Sequence, residues 1–162
     1  MATNDWLPPL MEFNHYGGVW DSYLTAIYAV FRTDFIFSSP AFRGRRLRLK
    51  RHPVIQGKEA TFWHLISEGK VEEDRTPDFR RCERIRWPKP VIEHQSEPGL
   101  LVWIEPRGSN DDRIHIYLTA ERYLVVLADR GSYILPWTAY CIQHENGHQK
   151  YLQRHARHTQ KS

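Results

Sequence analysis

LLVWIEPRGSNDDRIHIYLTAERYLVVLADRGSYILPWTAYCI, from Leu100 to Ile142, is the stretch whose reading decides the fold. Apolar residues recur at period two in LLVWIEP (100–106), RIHIYLT (113–119), YLVVLAD (123–129) and YILPWTAYCI (133–142). That period marks strands with at least one face on a core. Arg107-Gly108-Ser109-Asn110, Ala120-Glu121 and Arg130-Gly131 separate the runs as turns. Connections this short join antiparallel neighbours, since a parallel crossover takes about a dozen residues or more. The stretch therefore reads as a four-stranded antiparallel meander. Pro136 has no N–H to give a ladder, which puts it at an edge or a bulge. Plain alternation along the last strand groups Tyr133, Leu135 and Trp137 on one face. Ile134, Pro136, Thr138 and Tyr140 share the other, with two hydroxyls side by side.

Upstream of the meander the period changes. WDSYLTAIYAVFRTDF (20–35) has Trp20, Leu24, Ile27, Tyr28 and Phe31 at helical spacing, with Asp21 in the first turn favouring the N-terminal dipole. RLRLKRHPV (46–54) alternates basic and apolar residues and reads as a half-buried strand with its arginines outward. KEATFWHLISEG (58–69) reads as a helix ending at Gly69, and DFRRCERIRW (78–87) as a short helix ended by Pro88. Downstream, ENGHQKYLQRHARHTQKS (145–162) starts helical and ends basic. The whole is α+β: N-terminal helices packed on a four-stranded antiparallel β-sheet, with a C-terminal helix. At 162 residues it is expected to form one domain over 1–158, followed by a basic tail at 159–162.

Composition excludes several classes. With 41% hydrophobic and 13% aromatic residues the chain is not a disordered one, and no apolar run approaches the roughly 18–20 residues of a membrane span. Cys82 and Cys141 make neither a disulfide framework nor a zinc ribbon. The N-terminus shows no secretory pattern, so the cytoplasm is the expected compartment. Net charge is +4, but unevenly spread: residues 42–52 sum to +6, 75–90 to +4 and 148–162 to +4, against −3 for 1–41, −3 for 67–74 and −4 for 91–147. Basic blocks interleaved with Trp, Tyr and His favour a nucleic-acid partner, because guanidinium groups grip phosphate and stack on bases. Arg43, Arg45, Arg46, Arg48, Arg75, Arg80 and Lys150 are the candidate RNA-binding cations.

Three clusters could carry chemistry. His64 and Glu68, four apart, would share a helix face, where a carboxylate can orient an imidazole for proton transfer. Arg80, Arg81 and Arg84 would project together from the next helix, beside Asp78 and Glu83. Thr138 and Tyr140 form the third. HENGH (144–148) spells the H-E-x-x-H zinc signature, but Asn146-Gly147 weakens the helix it needs and no acidic residue follows Glu145. No phosphate-loop, dinucleotide or serine-hydrolase signature occurs, and neither a metal nor a cofactor is expected.

The order FWH, DRTPDFRRCERIRW, YILPWTAYCI and a basic terminal helix resembles small phage and bacterial proteins of the barnase–EndoU–colicin–RelE superfamily. The likeness covers about residues 55–155 and leaves 1–50 without a family role. It implies RNA as substrate, cut without metal, and an antitoxin or immunity protein as a partner. By that resemblance His64 would act as base or acid, oriented by Glu68. Arg81 and Arg84 would carry the charge of the phosphorane, and Thr138 or Tyr140 would position it. Two other readings stand beside this toxin-like ribonuclease. One is a non-catalytic protein binding nucleic acid or a partner; the other is a zinc hydrolase working through HENGH.

Overall fold

The computed structural model describes residues 4–159. All four meander strands form: β5 (Leu100–Pro106), β6 (Asp112–Leu118), β7 (Tyr123–Asp129) and β8 (Ile134–Cys141), hydrogen-bonded antiparallel in chain order. Upstream lie α1 (Trp20–Phe31), the short ribbons β1–β2 (Ala41–Phe42, Arg45–Arg46) and β3–β4 (Ser67–Glu68, Thr76–Pro77), and the helices α2 (Ala60–Ile66), α3 (Phe79–Glu83) and α4 (Pro88–Glu93). Downstream lies α5 (Glu145–Thr159). The architecture is α+β, with helices on both sides of the sheet. Thr159 closes α5, so of the expected tail only 160–162 lies outside the described residues.

The two sheet faces bury different things. On one, Ile114, Ile116, Leu118, Tyr123, Val125, Leu127 and Ile134 meet Leu24, Ile27 and Phe31 of α1, Phe62, Leu65 and Ile66 of α2, and Val91 and Ile92 of α4. Each such fully buried side chain stabilises the fold by about 1.5–3 kcal/mol. The other face is smaller: Trp103, Tyr117, Leu124, Val126 and Ile142, with Tyr151 and Leu152 of α5 packed against them. No α5 residue is fully buried. Polar links hold this helix instead: Arg154 to Glu105 (2.6 and 2.8 Å), Arg122 to Glu145 (2.7 Å), Tyr117 to His148 (2.6 Å) and Tyr140 to Tyr151 (2.5 Å). Its first turn lies so close to the sheet that a Cβ on Gly147 would sit 2.9 Å from Ile142 Cγ2.

Several local expectations need correction. α1 runs on into a π-helical segment, Arg32–Phe37. The stretch after Arg46 is extended but reaches β8 only through Arg48 N–H to Ile134 O at 2.8 Å; with no ladder, it is not a strand. α2 ends at Ile66, because Ser67 turns extended, donates its hydroxyl back to Trp63 O and pairs with Pro77 in β3–β4. Glu68 is therefore not one helical turn from His64. α3 stops at Glu83, and Pro88, read as a terminator, begins α4 as its first residue, where a missing N–H costs nothing.

In β8 the ladder slips: Val126 faces Thr138 while Leu127 faces Pro136, so Trp137 is an extra, bulged residue. The irregularity anticipated at Pro136 is present, but the face assignment changes. Ile134 and Pro136 stay on the helix-rich face with Leu127, whereas Thr138 and Tyr140 join Leu135 on the face covered by α5.

Candidate functional site

The bulge brings polar side chains from three strands and α5 together in a cleft of about 380 Å³ at one end of the α5 face. β5 supplies Glu105, β6 supplies Arg113 and His115, β8 supplies Trp137, Thr138 and Tyr140, and α5 supplies Tyr151 and Arg154. Arg107, just past β5, stands at the rim.

His115 is 6% exposed, its ring stacked on Trp103 with centroids 4.9 Å apart. Its Nδ1 lies 3.2 Å from Arg113 O, an acceptor only, so Nδ1 carries the proton and Nε2 keeps a lone pair. That lone pair faces Arg154 Nη2 at 3.4 Å. Burial disfavours the imidazolium and pushes its pKa down to about 4, despite Glu105 nearby. Burial would raise Glu105, but hydrogen bonds from Arg154 and Trp103 outweigh it and hold that carboxyl at about 2. Tyr140 is the reverse case: burial, then its bond to Tyr151, raise its pKa and keep the phenol protonated.

Arg113 is the unusual group. Its side chain is 7% exposed and Asp111 takes Nε (3.0 Å), yet Nη1 is buried with no partner. A buried donor left unpaired costs about 1–3 kcal/mol, so a ligand oxygen reaching it gains more than at the surface. The same guanidinium lies 4.4 Å from the Trp137 ring centroid, with Arg130 at 5.6 Å and Lys50 at 5.7 Å.

The residues singled out from sequence distribute differently. Thr138 and Tyr140 line the cleft. Arg81 reaches them from behind the edge strand: its side chain is 11% exposed, and Nη1 binds Ser67 O at 2.7 Å and Thr138 Oγ1 at 3.4 Å. His64 stands outside the cleft. Its side chain is 8% exposed, its Nε2 lies 2.7 Å from Glu72 Oε1, and its ring meets Trp137 edge-on at 4.9 Å. Burial lowers the pKa of His64 against the pull of Glu72. Burial works against Glu72 too, but its bonds from His64 and Lys50 prevail and lower it. Glu72, not Glu68, is thus the carboxylate that orients His64; Glu68 is 65% exposed and 3.9 Å from Arg81. Arg84 packs over Trp87 at 5.1 Å and donates to Arg80 O, so Arg80, Arg81 and Arg84 do not project as one cluster. The short α3 puts Arg84 at its C-cap and turns Arg81 inward.

Of the candidate RNA-binding cations, Arg46 and Arg48 flank the grooves beside β8. Arg45 is engaged by Asp129 and Gly131 O, and Arg75 by Ser67 and Gly69 O. Arg43 lies over Phe42, while Arg80 and Lys150 are exposed elsewhere. His148 of HENGH is held by Tyr117, and among the described residues no three His, Cys, Asp or Glu side chains gather as a metal-ligand set. Nor, among those residues, is any helix long and apolar enough to cross a membrane.

Sequence reading missed His115, Arg113, Tyr151, Arg154 and Glu105. RIHIY shows only strand alternation, in which Arg and His at positions 113 and 115 look like solvent-facing residues; their shared parity was the one available signal. Set against known proteins, the chain matches no family model, no curated protein and no solved structure.

Proposed function

We propose that the protein is a metal-independent endoribonuclease whose active site is the Thr138 cleft. The observation that carries this reading is the buried, unpartnered Nη1 of Arg113 beside a neutral imidazole and the hydrogen-bonded hydroxyls of Tyr140 and Tyr151. Arg113 and Arg154 bind the phosphate oxygens and stabilise the phosphorane. The Nε2 lone pair of His115 takes the 2′-hydroxyl proton as that oxygen attacks phosphorus. The P–O5′ bond breaks, and the Tyr140–Tyr151 pair protonates the departing oxygen. The products are a 2′,3′-cyclic phosphate and a 5′-hydroxyl. Thr138 positions the phosphate, with Arg81 behind it. His64 supports Trp137 from its edge rather than touching substrate. A cytoplasmic location and an antitoxin or immunity partner belong to the same reading.

A second reading has its own support. Arg154 Nη2 lies against the very lone pair that catalysis needs, which favours a site that holds RNA without cutting it. The test is incubation of the purified protein with RNA, with and without EDTA, followed by analysis of product ends. Cleavage that survives EDTA, ends in cyclic phosphate and falls about 10²-fold or more in His115→Ala, but less in His64→Ala, supports the first reading. Binding with no cleavage supports the second. Loss of activity with EDTA and with His144→Ala would reinstate zinc chemistry.

A further inference from the structure

Beyond Trp137 lies a second cleft, of about 360 Å³, between the extended 48–50 stretch and β8. Leu49 and Leu135 line it with apolar surface, Tyr133 and Trp137 with aromatic surface, and Arg48, Lys50 and Arg130 with cations. Trp137 lines both clefts, so one lip joins them. We infer that this second cleft is a nucleotide subsite: it takes the base next to the phosphate held in the Thr138 cleft, and so restricts the ligand to single-stranded RNA.

Three observations converge. First, cations crowd one indole, with Lys50 and Arg130 at 5.7 and 5.6 Å from its centroid on this side and Arg113 at 4.4 Å. Their carboxylates neutralise them only in part: Asp111 is shared between Arg113 and Arg130, and Lys50 leans on Glu72 at 3.3 Å. Arg48 has no carboxylate within 4 Å among the described residues and is exposed. Such an excess of positive charge around aromatic surface suits a phosphate flanked by a base. Second, Tyr133 is 39% exposed, an aromatic surface offered where a planar heterocycle stacks. Third, the lining combines apolar and aromatic surface with cations, which fits a nucleotide rather than a free anion. A base lying here is turned away from any pairing partner, so a duplex cannot enter.

The inference rests on RNA occupying the Thr138 cleft, but its test does not need cleavage. The probe is a fully 2′-O-methylated oligonucleotide of about eight residues, which has no free 2′-hydroxyl to react, measured by fluorescence anisotropy against its own duplex. The single strand should bind at least about tenfold tighter than the duplex, the scale of stacking one base on an aromatic side chain. Tyr133→Ala and Arg48→Ala, both exposed, should erase most of that preference, while leaving binding of inorganic phosphate, which carries no base, unchanged. Equal affinity for strand and duplex, or unchanged preference in both variants, overturns the subsite. If the parent binds the probe as expected yet cuts no unmodified RNA, the subsite stands and the ribonuclease reading falls.

Discussion

The titration of His115 makes the most direct physical test of the cleft. In the folded protein this imidazole takes a proton only near pH 4, whereas in an unfolded chain it does so near 6.5. Between those values the unfolded state holds the extra proton, so stability is lost as pH falls from 6.5 through about 4. At about 1.4 kcal/mol per pH unit the full effect is about 3 kcal/mol, and with the residue 6% exposed solvent screening takes little from it. The groups facing His115 are Glu105 from β5, Arg113 from β6, and Arg154 and His158 from α5; Glu105 opposes the shift while Arg154 and His158 add to it. A raw stability curve would mislead, because Asp34, raised to about 6 by burial, gains stability as pH falls over part of the same range. The assay is therefore a difference: urea unfolding of parent and His115→Gln at several values between pH 7.5 and 4. The parent's advantage should shrink by about 3 kcal/mol across that interval. A difference that stays flat would refute the burial argument, and with it the claim that the cleft keeps a neutral imidazole.

Two further outcomes can be read with ordinary mutants. Gly147→Ala would normally stabilise a helix by about 1 kcal/mol, but here the added carbon meets the stiff Cγ2 of Ile142, so thermal denaturation should show a loss instead of a gain. Reversing Arg46 and Arg48 to Glu should weaken single-stranded RNA binding and flatten its salt dependence by more than one logarithmic unit per decade of salt, at about 0.7 for each phosphate that is no longer neutralised; an unchanged slope would remove these two from the binding surface.

The sheet was legible because alternation and turn chemistry agree over the whole of 100–142. The helix-rich layer was legible in outline, since Leu24, Ile27 and Phe31 repeat at helical spacing and are all buried. The failures have physical causes. Ser67 leaves α2 to pair with Pro77, a long-range choice that spacing alone cannot reveal, so the partner of His64 was sought at Glu68 rather than Glu72. Pro88 looks like a breaker, yet it is the first residue of α4, where proline is tolerated. Of the candidate site, Thr138 and Tyr140 were readable as neighbours, and Arg81 as a nearby cation. His115 and Arg113 were not, because their significance comes from which sheet face α5 leaves open at one end.

The bulge in β8 also sets a parity on the chain. Each residue after Trp137 is displaced by one count from the strand beside it, and Thr138 and Tyr140 reach the cleft only through that odd step. Removing Trp137 alone would leave Thr138 opposite Val126 and Pro136 opposite Leu127 in a regular ladder, so the two hydroxyls would keep their face while the indole shared by both clefts was lost. Pairing Trp137 into the ladder with nothing removed would instead turn Ala139 and Cys141 toward the arginines and drive Tyr140 into the helix-packed layer. The loops at 107–111 and 130–133 carry no such constraint, since the strands on either side are registered by their own ladders. Variation in length is thus open to those two turns, and inside the last strand only to loss of the bulged residue itself.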